Sequence, residues 1–449
     1  MRMSERPEAR IQRHLPTADR PAASARSGGI SVTCVRLLFI FLSVSLSRVA
    51  GKEQAKFPDG DNFDTKLSAD MAHTVFVTGG AGYIGSHCIV SLLEAGYEVV
   101  AIDNFANSVS ERGADGLSRA PALDRVQQIT GKELTFVQCD LLDIDALRNI
   151  FKLKKIDSVI HFAAIKAVGE SMEQPFLYYR NNMMGAINLL EVMKENGCYN
   201  LVFSSSCTVY GSPEFLPINE DHPTGKVTNV YGRTKYFIEE MLKDVAVAEK
   251  QWNIIMLRYF NPVGAHPSGS IGEDPTKPFT NLMPYIAQVA IGSKPKLTIF
   301  GTDYNTEDGT GVRDYIHIMD LASGHVAALK KLQEEHLRMK IYNLGTGEGV
   351  SVLRLLKTFE KVTGTKVSYE TLERRVGDID AIYAKCELAE KELGWKSQYN
   401  LEQMCEDFWR WQTMNPDGYR SNKTITNGKI NGEGKHIATA ATNGTNGVH

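Results

Sequence analysis

The sequence predicts an α/β protein: a doubly wound parallel sheet followed by a smaller α/β domain. Three observations carry this. Short β-branched and aromatic runs alternate with longer helical patterns between residues 71 and 260, and such alternation gives a parallel sheet covered by helices on both faces. A glycine-rich turn joins the first run to the first helical pattern. The second run ends in an acid 18 residues beyond the last of those glycines.

Val75-Phe-Val77 suits a short buried strand. Gly79-x-x-Gly82-x-x-Gly85 follows and leads into a helical pattern over 86–95. The first glycine permits a sharp turn, the second lets the backbone approach a pyrophosphate, and the third lets helix and strand pack closely. The helix start offers free N–H groups and a positive dipole end to that anion. A second strand, 98–102, ends at Asp103, where a Rossmann unit places the carboxylate that bonds the ribose hydroxyls of NAD. A tight turn without a ligand would explain the glycines, but not the order strand, glycines, helix, strand, acid. The expectation is a Rossmann-type site with NAD as cofactor.

Further strands are expected at 134–138, 158–160, 201–204 and 254–258, with helices between them such as 183–196. Residues 104–117 read as a polar loop, and helical character resumes near Leu123. Asp140 ends the third strand, where it could equally cap a helix. Beyond Asn261 the texture changes. A stiff loop around Pro262 precedes a helix at 283–291 and a polar loop at 301–311. A strand, a helix at 319–332 and another strand fill 312–344. A terminal helix at 404–414 carries Trp409 and Trp411. The expected organisation is an extension over 1–70, disordered or non-native, then an NAD-binding Rossmann domain over 71–260. A substrate-binding domain over 261–420 follows, with part of 312–345 able to rejoin the large sheet, and 421–449 is a disordered tail. The apolar stretch 37–46 in the extension is short for a spanning helix; a signal or anchor is the alternative reading. Met71 looks like a natural start directly before the first strand.

A net charge of −3 gives no reason to expect nucleic acid or an anionic membrane as a partner. Seven cysteines without paired or metal-like spacing argue for reduced thiols, a cytoplasmic protein and no metal site.

The catalytic signal is Tyr231-Gly-Arg-Thr-Lys235. On a helix the i, i+4 spacing puts both side chains on one face. A free phenol is a poor base at neutral pH, and a nearby ammonium together with the positive nicotinamide ring favours its phenolate. Ser206, at the end of an upstream strand, can bond a substrate hydroxyl or relay its proton. A Tyr-x-x-x-Lys by itself is common among surface residues; the Rossmann fingerprint and the Ser-ended strand give it weight.

These motifs resemble the extended short-chain dehydrogenase/reductase superfamily. Within it, residues 72–420 are similar to the UDP-glucose 4-epimerase (UDP-galactose 4-epimerase) family. The resemblance is carried by His161-Phe-Ala-Ala-Ile-Lys-Ala-Val-Gly-Glu-Ser171, Phe203-Ser-Ser-Ser-Cys-Thr-Val-Tyr-Gly211, Leu257-Arg-Tyr-Phe-Asn-Pro262, Asn281-Leu-Met-Pro-Tyr285, 306–317 and Tyr342-Asn-Leu-Gly-Thr-Gly347. It implies a homodimer that oxidises and re-reduces C4 of a UDP-sugar with NAD, with Tyr231 moving the proton. It also implies NAD contacts at Tyr83, Ile84, Asp103, Asn104, Asn107, Ser108, Asp140, Leu141, Phe162, Lys166, Asn182, Tyr231, Lys235 and Tyr259. The implied substrate set is Lys166, Ser206, Tyr259, Phe260, Asn261, Asn281, Leu282, Phe300, Arg313, Arg375, Asp378 and Ile382, the last facing the sugar's C2 substituent. The chain departs from common family residues at Ala164, Cys207, Val230 and Val376, none of them a reacting group. Two other readings compete: a relative that dehydrates or decarboxylates UDP-sugars, and a catalytically silent NAD-sensing protein. Dehydration needs an added acid/base pair, and no carboxylate stands between Ser206 and Thr208. A silent protein would be expected to lose Tyr231, Lys235 or Ser206, and all three are kept.

Overall fold

The computed structural model of the protein describes residues 72–420 except 114, 277, 278, 280, 376 and 377, and a short strand pair at Ile425–Thr426 and Lys429–Ile430. These residues fall in one unit, 70–449. The expectations for 1–70, with its apolar stretch 37–46, and for most of 421–449 lie outside the described residues.

Seven strands form the main sheet: β1 (Thr74–Thr78), β2 (Glu98–Asp103), β3 (Thr135–Gln138), β4 (Ser158–His161), β5 (Asn200–Ser206), β6 (Asn253–Tyr259) and β7 (Met339–Leu344). Their order is β7-β6-β5-β4-β1-β2-β3, and every pairing is parallel. All residues of β1 and β6 are buried, which is why their sequences are nearly continuous apolar runs. The period of two still divides the faces. Val75 and Val77 join one core with Ile89, Leu92, Leu321 and Leu329, while Phe76 joins the opposite one with Leu189, Val192, Ile238 and Leu242.

Helices α1 (Tyr83–Glu94), α2 (Pro121–Thr130), α3 (Gly185–Glu195), α4 (Val230–Ala248) and α6 (Ile318–Glu334) cover the sheet; α5 (Leu282–Ala290), α7 (Val352–Thr363) and α8 (Leu401–Met414) pack with one another in a separate cluster. Proline at the first position of α2 and left-handed Gly131 (φ 65°) beyond its end set its bounds. There α5, α7 and α8 share a core of Met283, Ile286, Leu355, Phe359, Met404 and Phe408 with Leu297 and Ile299. Two small sheets frame it, Leu297–Phe300 with Tyr369–Leu372 and Val350–Ser351 with Val312–Arg313 and Ala381–Ile382. β7, although late in sequence, pairs with β6 in the large sheet.

Three local features differ from the periodicity reading. α1 starts at Tyr83, because extended Gly82 is its cap. The 183–196 pattern is the end of a longer helical run that opens at Pro175 and passes through a π-helical stretch, Tyr179–Met184. The 104–117 loop contains Glu111–Arg112, which pairs antiparallel with Ser118–Arg119.

The strand order reverses at β1, which lies between β4 and β2. A crevice forms outside the carboxyl ends of strands at such a switch point.

Candidate active site

A cavity of about 450 Å³ opens at this switch point, within the range that holds a cofactor. Seventeen of the residues expected from sequence line it: Gly79, Gly82, Tyr83, Ile84, Gly85, Asp103, Asn104, Asn107, Ser108, Asp140, Leu141, Phe162, Lys166, Tyr231, Lys235, Tyr259 and Asn281. The glycine turn is built without room for side chains. A Cβ at Gly79 (φ +69°) would come 2.9 Å from the Ala163 nitrogen, and one at Gly85 would come 2.2 Å from the Gly79 carbonyl oxygen. No side chain caps α1 at Gly82, so first-turn N–H groups remain for an anion. Asp103 ties the turn to the next loop, accepting from Ala81 N (3.1 Å), Phe105 N (2.8 Å) and Ser108 Oγ (2.9 Å). Burial raises its carboxyl pKa against these bonds. A nucleotide-sized cavity, a bare glycine turn and an acid at the second strand end fit NAD.

Tyr231 and Lys235 lie on the first turns of α4. Asn229 fixes the start of that helix, its Oδ1 accepting from Gly232 N at 2.8 Å. Three successive serines at the end of β5 face α4. Ser206 lies beside Tyr231, the Ser204 carbonyl accepts from Lys235 Nζ at 2.5 Å, and Ser205 Oγ donates to Glu239 at 2.5 Å. Thus Tyr231, Lys235 and Glu239, spaced i, i+4 and i+8, each meet one serine. Glu239 is held in turn by Arg258 of β6 through two bonds of 2.9 and 2.6 Å, both residues being buried. Tyr259 and Ser204 join hydroxyl to hydroxyl.

Burial pushes the Tyr231 phenol up to about 12, opposed by the neighbouring Ser206 hydroxyl. Burial pulls the Lys235 ammonium down to about 7, opposed by Glu239. Lys235 is not among the groups that act on the phenol in this arrangement. The Nζ is drawn to the Ser204 carbonyl and sits 4.9 Å over the Phe203 ring, so desolvation governs both groups.

The remaining expected residues lie around the cavity rather than on its wall. Asn182 is buried behind it. Its Oδ1 accepts from Ile165 N (3.0 Å), and its Nδ2 donates to Ile165 O (3.1 Å) and Thr234 Oγ1 (3.0 Å), which positions the wall. Phe260 and Ile382 pack with Cys207, Val209 and Tyr210 in one buried cluster adjoining Ser206. Arg313 stands opposite Ile382 and donates to the Ile379 carbonyl at 3.0 Å. Arg375 pairs with Asp378 at 2.8 Å and lies 5.0 Å over the Phe300 ring. Phe260, Ile382 and Arg313 are thus neighbours on one side, and Phe300, Arg375 and Asp378 on another, with Arg313 bonded to Ile379 next to Asp378. Asn261 N–H bonds the Asp314 carbonyl at 3.0 Å, and Leu282 opens α5 after its cap Asn281. Of the departures, Ala164 lines the cavity, Cys207 is buried with its thiol pushed up to about 12, and Val230 takes the first position of α4.

Sequence reading missed Glu273, whose Oε1 receives both Lys166 Nζ (3.3 Å) and Asn281 Nδ2 (3.0 Å). The run Gly272-Glu-Asp-Pro275, with two acids in a rigid turn, was an available signal. It also missed Tyr419, which lines the cavity from the far end of the chain; no local pattern marks it.

The sequence model of the family described as GDP-mannose 4,6 dehydratase matches residues 76–408. A UDP-glucose 4-epimerase from Bos taurus is 56% identical over 349 residues, covering 78% of this chain and 99% of the relative. The crystal structure of UDP-glucose 4-epimerase from Bifidobacterium longum, in complex with NAD+ and UDP, superposes with a TM-score of 0.73 at 48% identity, covering 77% of this chain and 99% of that one. The epimerase from Stenotrophomonas maltophila, with bound NAD and formylated UDP-arabinopyranose, gives 0.73 at 46% identity, with 77% and 99% covered. With its glycine turn, its Tyr231–Lys235 helix and its Ser-ended strand gathered on one cavity, this chain belongs to the UDP-glucose 4-epimerase family, within the larger family that the dehydratase model describes.

Proposed function

We propose that the protein interconverts UDP-galactose and UDP-glucose through a 4-keto sugar, with NAD as resident cofactor. One observation carries this: Tyr231 and Lys235 line the same cavity as the Gly79–Gly85 turn. When bound, NAD supplies the hydride acceptor and donor for C4 and a positive ring charge that favours a phenolate. Tyr231 takes the proton of the sugar 4-hydroxyl and returns it. Ser206, beside Tyr231 at the end of β5, is placed to hold that hydroxyl in line. Lys235 keeps a cation within one helical turn. Arg313 and Arg375 suit the diphosphate through charge-assisted bonds, and Asp378 the uridine ribose. Turnover of UDP-galactose without added NAD tests this. UDP-glucose is the expected product; a dehydrated or decarboxylated sugar would replace this reading with the chemistry of other superfamily members.

Residues 71–260 supply the NAD half and 261–420 the UDP-sugar half of this arrangement. Ile382 is the proposed wall for the sugar's C2 substituent. Its β-branch keeps its bulk near the backbone, which leaves room for some use of the N-acetylated pair. A homodimer is supported by one apolar surface: Val168 and Met172 lie on the short helix Val168–Glu173, and Phe176 (84% exposed), Leu177 and Met184 on the helical run that follows from Pro175, beside Phe237 of α4. Phe237 stacks on Tyr179 of that run. A second copy covering this face is the proposed partner, and a monomer by sedimentation at micromolar concentration would refute it. A cytoplasmic location is proposed on the free thiols of the described cysteines. No helix among the described residues is long and apolar enough to cross a membrane.

A further inference from the structure

The last described turn of the main unit reaches back to the cavity. Tyr419 is 5% exposed and lines it beside the loop 272–275. Its phenol donates to the Gly272 carbonyl and accepts from the Gly272 N–H, both at 3.1 Å. Its own N–H donates to Asp274 Oδ2 at 2.7 Å, and Arg420 Nη1 donates to the other oxygen at 3.0 Å. Glycine makes the fit possible. A Cβ at Gly272 would come 2.4 Å from the Trp411 ring, and one at Gly418 (φ +63°) would come 2.1 Å from Asp274 Oδ2.

The same segment is tied to the NAD half. Arg125 of α2 is buried; it donates to Asn415 Oδ1 at 2.7 Å and to the Ser270 carbonyl at 3.0 Å. Its guanidinium lies 4.9 Å over the Tyr419 ring and 5.8 Å over Trp411. Asn415 Nδ2 donates to the Gly269 carbonyl at 2.8 Å. Both ends of the loop 269–275 are thus stitched to 411–420, and through Arg125 to α2. Just beyond, Thr276 N–H donates to the Asn107 carbonyl at 3.2 Å, so the loop also meets the segment that follows β2.

We infer that residues 415–420 form a strap, latched by Tyr419 to Gly272 and by Arg125 to Asn415, that walls the dinucleotide into its cavity and sets how slowly it leaves. This rests on the cavity being the NAD site. The wall must part for the nucleotide to escape, so its bonds enter the dissociation rate rather than the chemical step.

The test uses the full-length holoprotein and measures NAD still bound, by extraction, at intervals after mixing with an NAD-consuming enzyme as trap. Tyr419→Ala, and a chain stopped after Asp417, should lose NAD about ten-fold faster or more than wild type, the loss of two or more hydrogen bonds. A chain stopped after Arg420 should match wild type. Tyr419→Phe keeps the ring under Arg125 and should fall between. Should Tyr419→Ala fold poorly, Tyr419→Phe and Arg125→Gln decide. Wild-type retention in the variants, even with a lowered Tm, overturns the strap and leaves Tyr419 a packing residue. Wild-type protein that never carries NAD overturns the reading of the cavity itself, and the strap with it.

Discussion

Lys235 Nζ lies 2.5 Å from the Ser204 carbonyl oxygen, so the cation one helical turn from Tyr231 is anchored to the strand that ends in Ser206. Helix and strand are locked together at the reacting groups. Tyr231→Phe should then keep NAD and the fold but lose turnover by about 10²–10⁴-fold, the usual scale for a lost acid–base group. Lys235→Ala should lower turnover and NAD content together. Steady-state rates beside extracted NAD distinguish the two.

Glu239 and Arg258 form a buried pair at 2.6 Å behind those residues. Glu239→Gln leaves a buried guanidinium without its counter-charge and should destabilise the protein by about 3–5 kcal/mol. Glu239→Gln combined with Arg258→Met removes both charges and should cost clearly less. Denaturant melts of the two single variants and the double variant check this; equal losses in all would mean that pairing is not what holds the site.

Among the histidines that burial depresses, His87 and His161 fall to about 3 and His325 to about 4, from an ordinary 6.5. Below 6.5 the unfolded chain takes up protons that the folded protein refuses, so stability falls as pH drops from 6.5 towards 4. Above 6.5 these groups are neutral in both states and contribute no slope. His325→Gln should flatten the fall in Tm between pH 6.5 and 4 while leaving the profile above pH 7 parallel to wild type. An unchanged acid slope would show that His325 is not one of the groups responsible.

Ile382 packs beside Cys207 and Phe260 next to Ser206. As a wall for the C2 substituent it should discriminate by about 1–3 kcal/mol. Ile382→Tyr should lower kcat/KM for UDP-N-acetylgalactosamine much more than for UDP-galactose, and Ile382→Gly should raise it. If the Tyr variant accepts the N-acetylated sugar as well as wild type does, Ile382 is core only.

Much of the large sheet was legible because buried parallel strands write themselves as apolar runs: Val75-Phe-Val77 and 254–258 lie inside β1 and β6. The turn and α4 were legible because their chemistry is local, Gly79 to Gly85 and Tyr231 to Lys235. What could not be read were partners far apart in the chain. Tyr419 meets Gly272 across 147 positions, and Glu273 meets Lys166 across 107; neither leaves a periodic trace. The protonation of Lys235 was not legible either. Spacing reports which face it occupies, but desolvation and the Ser204 carbonyl set its charge.

The central claim is that C4 of the UDP-sugar is oxidised and reduced within one cavity under Tyr231. UDP-galactose deuterated at C4, turned over without added NAD and read by mass spectrometry and NMR, tests it most directly. The account predicts UDP-glucose with deuterium still at C4, because the hydrogen leaves and returns without meeting water. Inversion at C4 with the deuterium lost to solvent would contradict it.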